Sequence, residues 1–208
     1  MKTVLCKISI FLLMIALLLP MLLACGSEPD EEVLATARSL LTQSAEVNAL
    51  CFAEGILPTT HEAAFSSGGY TEADTETMGK YGVTCVADIR AKISAVYSVA
   101  AAEQAERILF SPVQSEGAYA SYRRYYDTVT EDGRALLMVK REYTPLARGT
   151  VSYDNVRLKE NARSRAVILV DITVTDGERT RTLTDESFSL RREESGWRLD
   201  TLTYASVD

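Results

Sequence analysis

Histidine is almost missing from this 208-residue chain, and His61 stands alone. A Ser-His-Asp or Cys-His device would have to run through that one imidazole. It lies between Thr60 and Glu62 in a stretch without periodicity, where a solvated surface histidine is expected. A nucleophile elbow, an HExxH pair, a glycine-rich phosphate loop and a calcium-loop ligand series are all absent. Carboxylates pair only as neighbours, at Glu31-Glu32, Asp185-Glu186 and Glu193-Glu194. Adjacent side chains in a strand point to opposite faces, so such pairs do not converge on one substrate bond. The chain therefore reads as a non-enzyme without cofactor or metal. Basic charge is also short, with 22 Lys and Arg against 29 Asp and Glu and a net charge of −7. That balance argues against binding nucleic acid or lying flat on anionic lipid. It leaves docking on a basic protein, or plain solubility, as readings of the acidity.

A run long enough to span a bilayer is missing too. Ile8 to Leu23 is apolar apart from Ser9 and Pro20. That is about 16 residues, short of the roughly 20 a spanning helix needs. With Lys2 and Lys7 ahead of it, the segment matches the hydrophobic region of a signal peptide. It ends in Leu22-Leu23-Ala24-Cys25-Gly26, which resembles a bacterial lipobox. The resemblance implies cleavage before Cys25, acylation of its thiol and tethering to the outer face of the cell membrane. An ordinary secretory leader that leaves Cys25 unmodified is the competing reading. Several acyl chains anchor a protein stably, at about 0.8 kcal/mol per buried methylene.

Cysteine is scarce beyond this point. Only Cys51 and Cys85 remain, with no CxxC motif and no nearby histidine to make a zinc site. Two cysteines in an exported chain invite a disulfide. Closing a loop of about 35 residues would add about 3–4 kcal/mol in the chain-entropy picture. Two buried free thiols are the alternative.

What is present falls into two halves. After a leader (1–24) and a short acidic tether (25–32), one domain is expected over 33–208, helical over 33–112 and sheet-forming over 119–208. Val33, Ala37, Leu40, Leu41, Val47 and Cys51 recur at helical spacing, with an end expected near Gly55. Residues 55–84, rich in Gly, Ser, Thr and acids, read as a long irregular excursion of the functional or mobile kind. Val86, Ile89, Ile93, Val96 and Tyr97 mark a second helix. Ser98 is placed to cap a third, with Ala101, Ala105, Ile108 and Leu109 inward and a stop at Pro112.

Three hairpin dipeptides follow, Asp132-Gly133, Asp176-Gly177 and Ser195-Gly196. Ala166 to Val174 alternates and is the expected central strand, and the shift between Tyr153 and Val156 points to a bulge. The predicted fold class is α+β, with N-terminal helices on a curved antiparallel sheet of five or six strands. The aromatic cluster Tyr119, Tyr122, Tyr125 and Tyr126 encloses Arg123 and Arg124. Tyrosine and arginine are enriched at protein contacts, so Tyr119, Tyr122, Arg123, Arg124 and Tyr125 are candidate partner-binding residues. A strand whose tyrosines seal the sheet is the alternative.

The closing Gly196-Trp197-Arg198-Leu199-Asp200 resembles the last strand of NTF2-like and cystatin-like exported domains. The Ala87–Ser98 stretch with its following helix resembles the helical part of the IseA family. So does the later order of tyrosine-rich stretch, Glu131-Asp132-Gly133 turn, and the Val156 and Val167 strands. Members of that family inhibit DL-endopeptidases, the cysteine hydrolases that cut cell-wall stem peptides. The resemblance implies a binding protein that regulates a peptidoglycan hydrolase. An NTF2-like small-ligand binder is the other expectation.

Overall fold

The computed structural model describes residues 28–110, 124–147 and 149–204. Helix α1 (Asp30–Cys51) carries three acids in its first turn, where the positive end of the helix dipole favours them. It buries the expected stripe and adds two polar residues, Ser44 and Asn48. Helix α3 (Val86–Val96) buries Ile89, Ile93 and Val96. Helix α4 (Val99–Phe110) buries Ala101, Ala105 and Leu109. The break between them falls where Ser98 suggests. Tyr97 is extended and bridges Leu199 in parallel. Ser98 donates its N–H to Leu199 O and accepts from Ala101 N through its hydroxyl.

The β half corrects the expected single sheet. Among the described residues two antiparallel sheets form, each of four strands. The first has the order β1 (Ser66–Ser67), β2 (Tyr70–Glu72), β4 (Ala135–Lys140), β3 (Tyr125–Val129). The second runs β5 (Thr150–Ala162), β6 (Arg165–Asp176), β7 (Arg179–Glu193), β8 (Gly196–Leu199). The cause is competition for an edge. β2 pairs with β4 at Tyr70↔Lys140, Thr71↔Val139 and Glu72↔Met138. With β3 on its other side, β4 has no free edge to offer β5, which starts a new sheet.

All three dipeptide turns lie between paired strands, and β6 lies between β5 and β7. One continuous cluster of buried side chains draws on the helices and both sheets, including Leu41, Ile93, Leu137, Val139, Ile168, Leu190 and Trp197.

The bulge in β5 is there. Register shifts between Asp154 and Arg157, and Asn155 has a φ of +49°. Val151 and Tyr153 face inward before it, Val156 and Leu158 after it. A second bulge sits opposite, in β7, where Asp185 has a φ of +59°. Both bulges point at Asp171 on the strand between. Its carboxylate accepts from Asn155 Nδ2 at 2.7 Å and from Asp185 N at 3.0 Å. The Asn155 amide, then the Asp185 N–H, hold the Asp171 carboxyl below its ordinary value. One side chain thus pins a kink that crosses three strands.

Candidate functional site

Residues 55–84 are irregular only in part: 55–65 carry no helix or strand, while 66–81 hold two short strands and a helix. They fold as an arm on β4. Thr59 N donates to Glu72 O, Asp74 N to Leu57 O, and Arg141 N to Gly69 O. Helix α2 (Thr75–Tyr81) is capped by the Asp74 carboxylate, which accepts from Thr77 N at 2.8 Å, and closes on Gly82 in the left-handed conformation. The base of the arm is buried through Tyr70, Thr71 and Ala73. Its tip is not. Gly68 and Gly69 make a two-residue turn with φ of +56° and +85°, the primed geometry that suits a hairpin. Ser66 to Gly69 are exposed, as are Thr60 to Ala63 beside them, His61 included. The arm therefore presents a free loop on a pinned base.

A second concavity opens between α1 and β5. It has a volume of about 740 Å³ and is walled by Arg38, Leu41, Thr42 and Ala45 on one helical face. Val151 and Tyr153 supply part of the strand side, with Val156 and Arg157 beyond the bulge. Tyr153 donates its hydroxyl to Thr203 O at 3.0 Å. Behind it lies a buried neutral network. Tyr97 Oη donates to Asn48 Oδ1 at 2.7 Å, Asn48 Nδ2 donates to Thr203 Oγ1 at 3.0 Å, and Thr203 and Ser44 hydroxyls meet at 2.9 Å. Burial pushes the Tyr97 phenol well above its usual value, so it stays a donor.

The aromatic cluster needs correction where it is described. Tyr119, Tyr122 and Arg123 lie outside the described residues, as does Cys25. Arg124 and Tyr125 are each 1% exposed and cannot meet a partner. They close the end of α1 instead. Arg124 NH1 donates to Cys51 O at 2.8 Å, and NH2 donates to Glu54 O. Tyr125 Oη donates to Leu50 O at 2.9 Å and accepts from Ile56 N. α1 has no basic residue in its own last turn. Arg124 brings the cation that the negative end of the dipole favours from about seventy positions away. Its guanidinium also lies 4.0 Å from the centre of the Tyr143 ring. Gly55, at φ +58°, lets this happen, since a Cβ there would collide with Leu50 O, the Tyr125 hydroxyl and Arg124. An arginine between tyrosines reads as surface in sequence, and nothing in its spacing marks it as buried.

No bridge joins the two cysteines in the structure. Cys51 and Cys85 are free thiols. Cys51 faces the core at the end of α1, fully buried, while Cys85 sits half-exposed before the first turn of α3. Burial pushes the Cys51 thiol up to about 12, with Arg124 opposing, so it is inert.

The acid pairs do not converge. Glu193 accepts from Val99 N at 2.9 Å at the start of α4, while Glu194 faces solvent. Asp185 is drawn onto Arg157 at the bulge. Among the described residues no group of three or more His, Cys, Asp and Glu could hold a metal ion, and no helix is long and apolar enough to cross a membrane.

Comparison of the chain with protein-family models and with curated proteins finds no match.

Proposed function

We propose that this protein is a lipid-anchored binding module on the outer face of the bacterial cell membrane, which occludes the cleft of a peptidoglycan DL-endopeptidase. The observation that carries the reading is the arm. A glycine-turned tip, Ser66 to Gly69, stands exposed on a base locked to β4. Loops held by rigid scaffolds are common contact elements, and a pre-set loop loses little conformational freedom on docking. The tip enters the cleft and blocks the stem peptide, while the domain itself performs no bond chemistry.

The test is wall digestion. Native protein at saturation should slow clearing of a cell-wall suspension by an endopeptidase. Ser67→Trp, exposed and clear of the core, should lose most of that effect and should no longer be retained on the immobilised enzyme. Unchanged clearing with native protein would remove the proposal.

A second reading rests on the α1/β5 groove. Its volume of about 740 Å³ is in the range of small-ligand sites, and its walls mix Leu41 and Val151 with Arg38 and Thr42. On that reading the protein is an NTF2-like binder of an elongated amphipathic molecule without catalysis. Ligand-dependent protection from thermal unfolding, lost in Ala45→Trp, would favour it over the first.

A further inference from the structure

Residues 25–32 read as a tether in sequence, yet the tether is stitched down almost at once. Glu28 is bound from three sides. Its carboxylate accepts from Trp197 Nε1 and pairs with Arg192 NH1 at 3.3 Å. Its carbonyl accepts from Asn161 Nδ2 at 2.7 Å. The same amide reaches Asp30 Oδ1 at 2.8 Å, so the start of α1 is held by the same group. Trp197 is 5% exposed, and the Arg192 guanidinium lies 5.8 Å from its ring centre. An indole N–H and a guanidinium on one carboxylate make charge-assisted bonds, about twice as strong as neutral ones.

This clamp occupies one end of the long sheet. Asn161 leads into the β5–β6 turn, and Arg192 leads into the β7–β8 turn. Arg192 N donates to Ser164 O at 2.9 Å, which ties the two turns together. The β6–β7 turn at Gly177 lies at the other end of the strands. β6 has 12 residues, so the two ends stand about 36 Å apart at 3.3 Å per residue.

Only Gly26 and Ser27 separate Cys25 from the clamp. Three Cα steps of about 3.8 Å allow a reach of about 11 Å at most. From this we infer that the anchor is a short leash: the β5–β6 and β7–β8 turns form the membrane-facing surface, and the β6–β7 turn points away. The inference rests on acylation of Cys25. The facing turns carry both signs of charge, with Arg163 and Glu194 exposed. The leash, and not net attraction to lipid, therefore fixes the orientation.

Energy transfer to a headgroup-labelled lipid tests it on the full chain in proteoliposomes. Donors go on Arg163→Cys and Glu178→Cys, both exposed, in a Cys85→Ser background, since buried Cys51 does not label. The expected result is several-fold stronger transfer from position 163 than from 178. Glu28→Ala with Trp197→Phe should shrink that difference. Flotation is measured on the same samples, with Cys25→Ser as control. If the native chain floats and the control does not, but both positions transfer equally or 178 transfers more, the orientation is wrong and the anchor stands. If the native chain does not float, the anchor fails and the leash falls with it.

Discussion

The two sheets are held together by different means. The β5–β8 sheet is a meander whose first three strands have 13, 12 and 15 residues. Each strand pairs with its chain neighbour, so register is set locally by tight turns. The β1-β2-β4-β3 sheet is made of strands of two, three, six and five residues. Its β2–β4 pairing joins Tyr70 to Lys140. Closing such a loop costs chain entropy before the pairing can offset it. Few ladder bonds are available, and the junction relies on Arg124 and Tyr125, one residue before and the first residue of β3, which grip the end of α1. Stability in the first case is spread over a buried face. In the second a shorter buried face, Leu137 to Val139, is supplemented by a few polar contacts at Arg124 and Tyr125.

The sharpest way to probe the contrast starts with the long sheet. Ile168 is fully buried at its centre. Ile168→Ala should lower the unfolding free energy by about 3–4 kcal/mol, read from the urea midpoint at constant slope. Arg124→Met comes next. It keeps bulk but removes two charge-assisted bonds, one to the buried Cys51 carbonyl and one to the part-buried Glu54 carbonyl, for a loss of about 2–3 kcal/mol. Amide exchange at Thr71 and Val139 should rise while Ile168 stays protected. Equal rises in both sheets would mean one cooperative unit, and the contrast would be gone.

A smaller effect should follow pH. The folded-state ionisation of Asp171 is depressed, so its contribution is complete above the unfolded value of about 3.9 and is lost as pH falls through the folded one. The stability difference between the native chain and Asp171→Asn should hold steady from about pH 7 to about pH 5 and close toward about pH 2. A difference that ignores pH would mean that the aligned bulges do not depend on this charge. The smallest effect concerns the thiols. Alkylation of the folded chain at pH 8 should modify Cys85 and spare Cys51, and a reductant should leave the melting temperature unchanged. A protein two hydrogens lighter that melts earlier on reduction would reinstate the bridge.

The same division decides what could be read from sequence. The meander was legible because its signals are local: the turn dipeptides Asp176-Gly177 and Ser195-Gly196, the alternation of Ala166 to Val174, and the change of inward parity from Tyr153 to Val156. The β7 bulge has the same signature, since inward positions pass from Leu183 to Phe188 and Leu190. It was missed because Thr184 to Ser187 between them carries no apolar marker. The arm was illegible for a different reason. A three-residue strand has no period to detect, and its pairing partner lies far along the chain. Arg124 was misread because composition describes the average site of an arginine, while this one answers to the carbonyls of a helix end.

The neutral network behind Tyr153 has a consequence for the order of events during synthesis. Asn48 and Ser44, on the first helix, are satisfied by Thr203, a partner that emerges 155 positions after Asn48. Ser44 also donates to Leu41 O within the helix and Asn48 also accepts from Tyr97, so until that threonine arrives each holds only part of its final set of partners. The polar seam of the first helix is therefore finished late in synthesis.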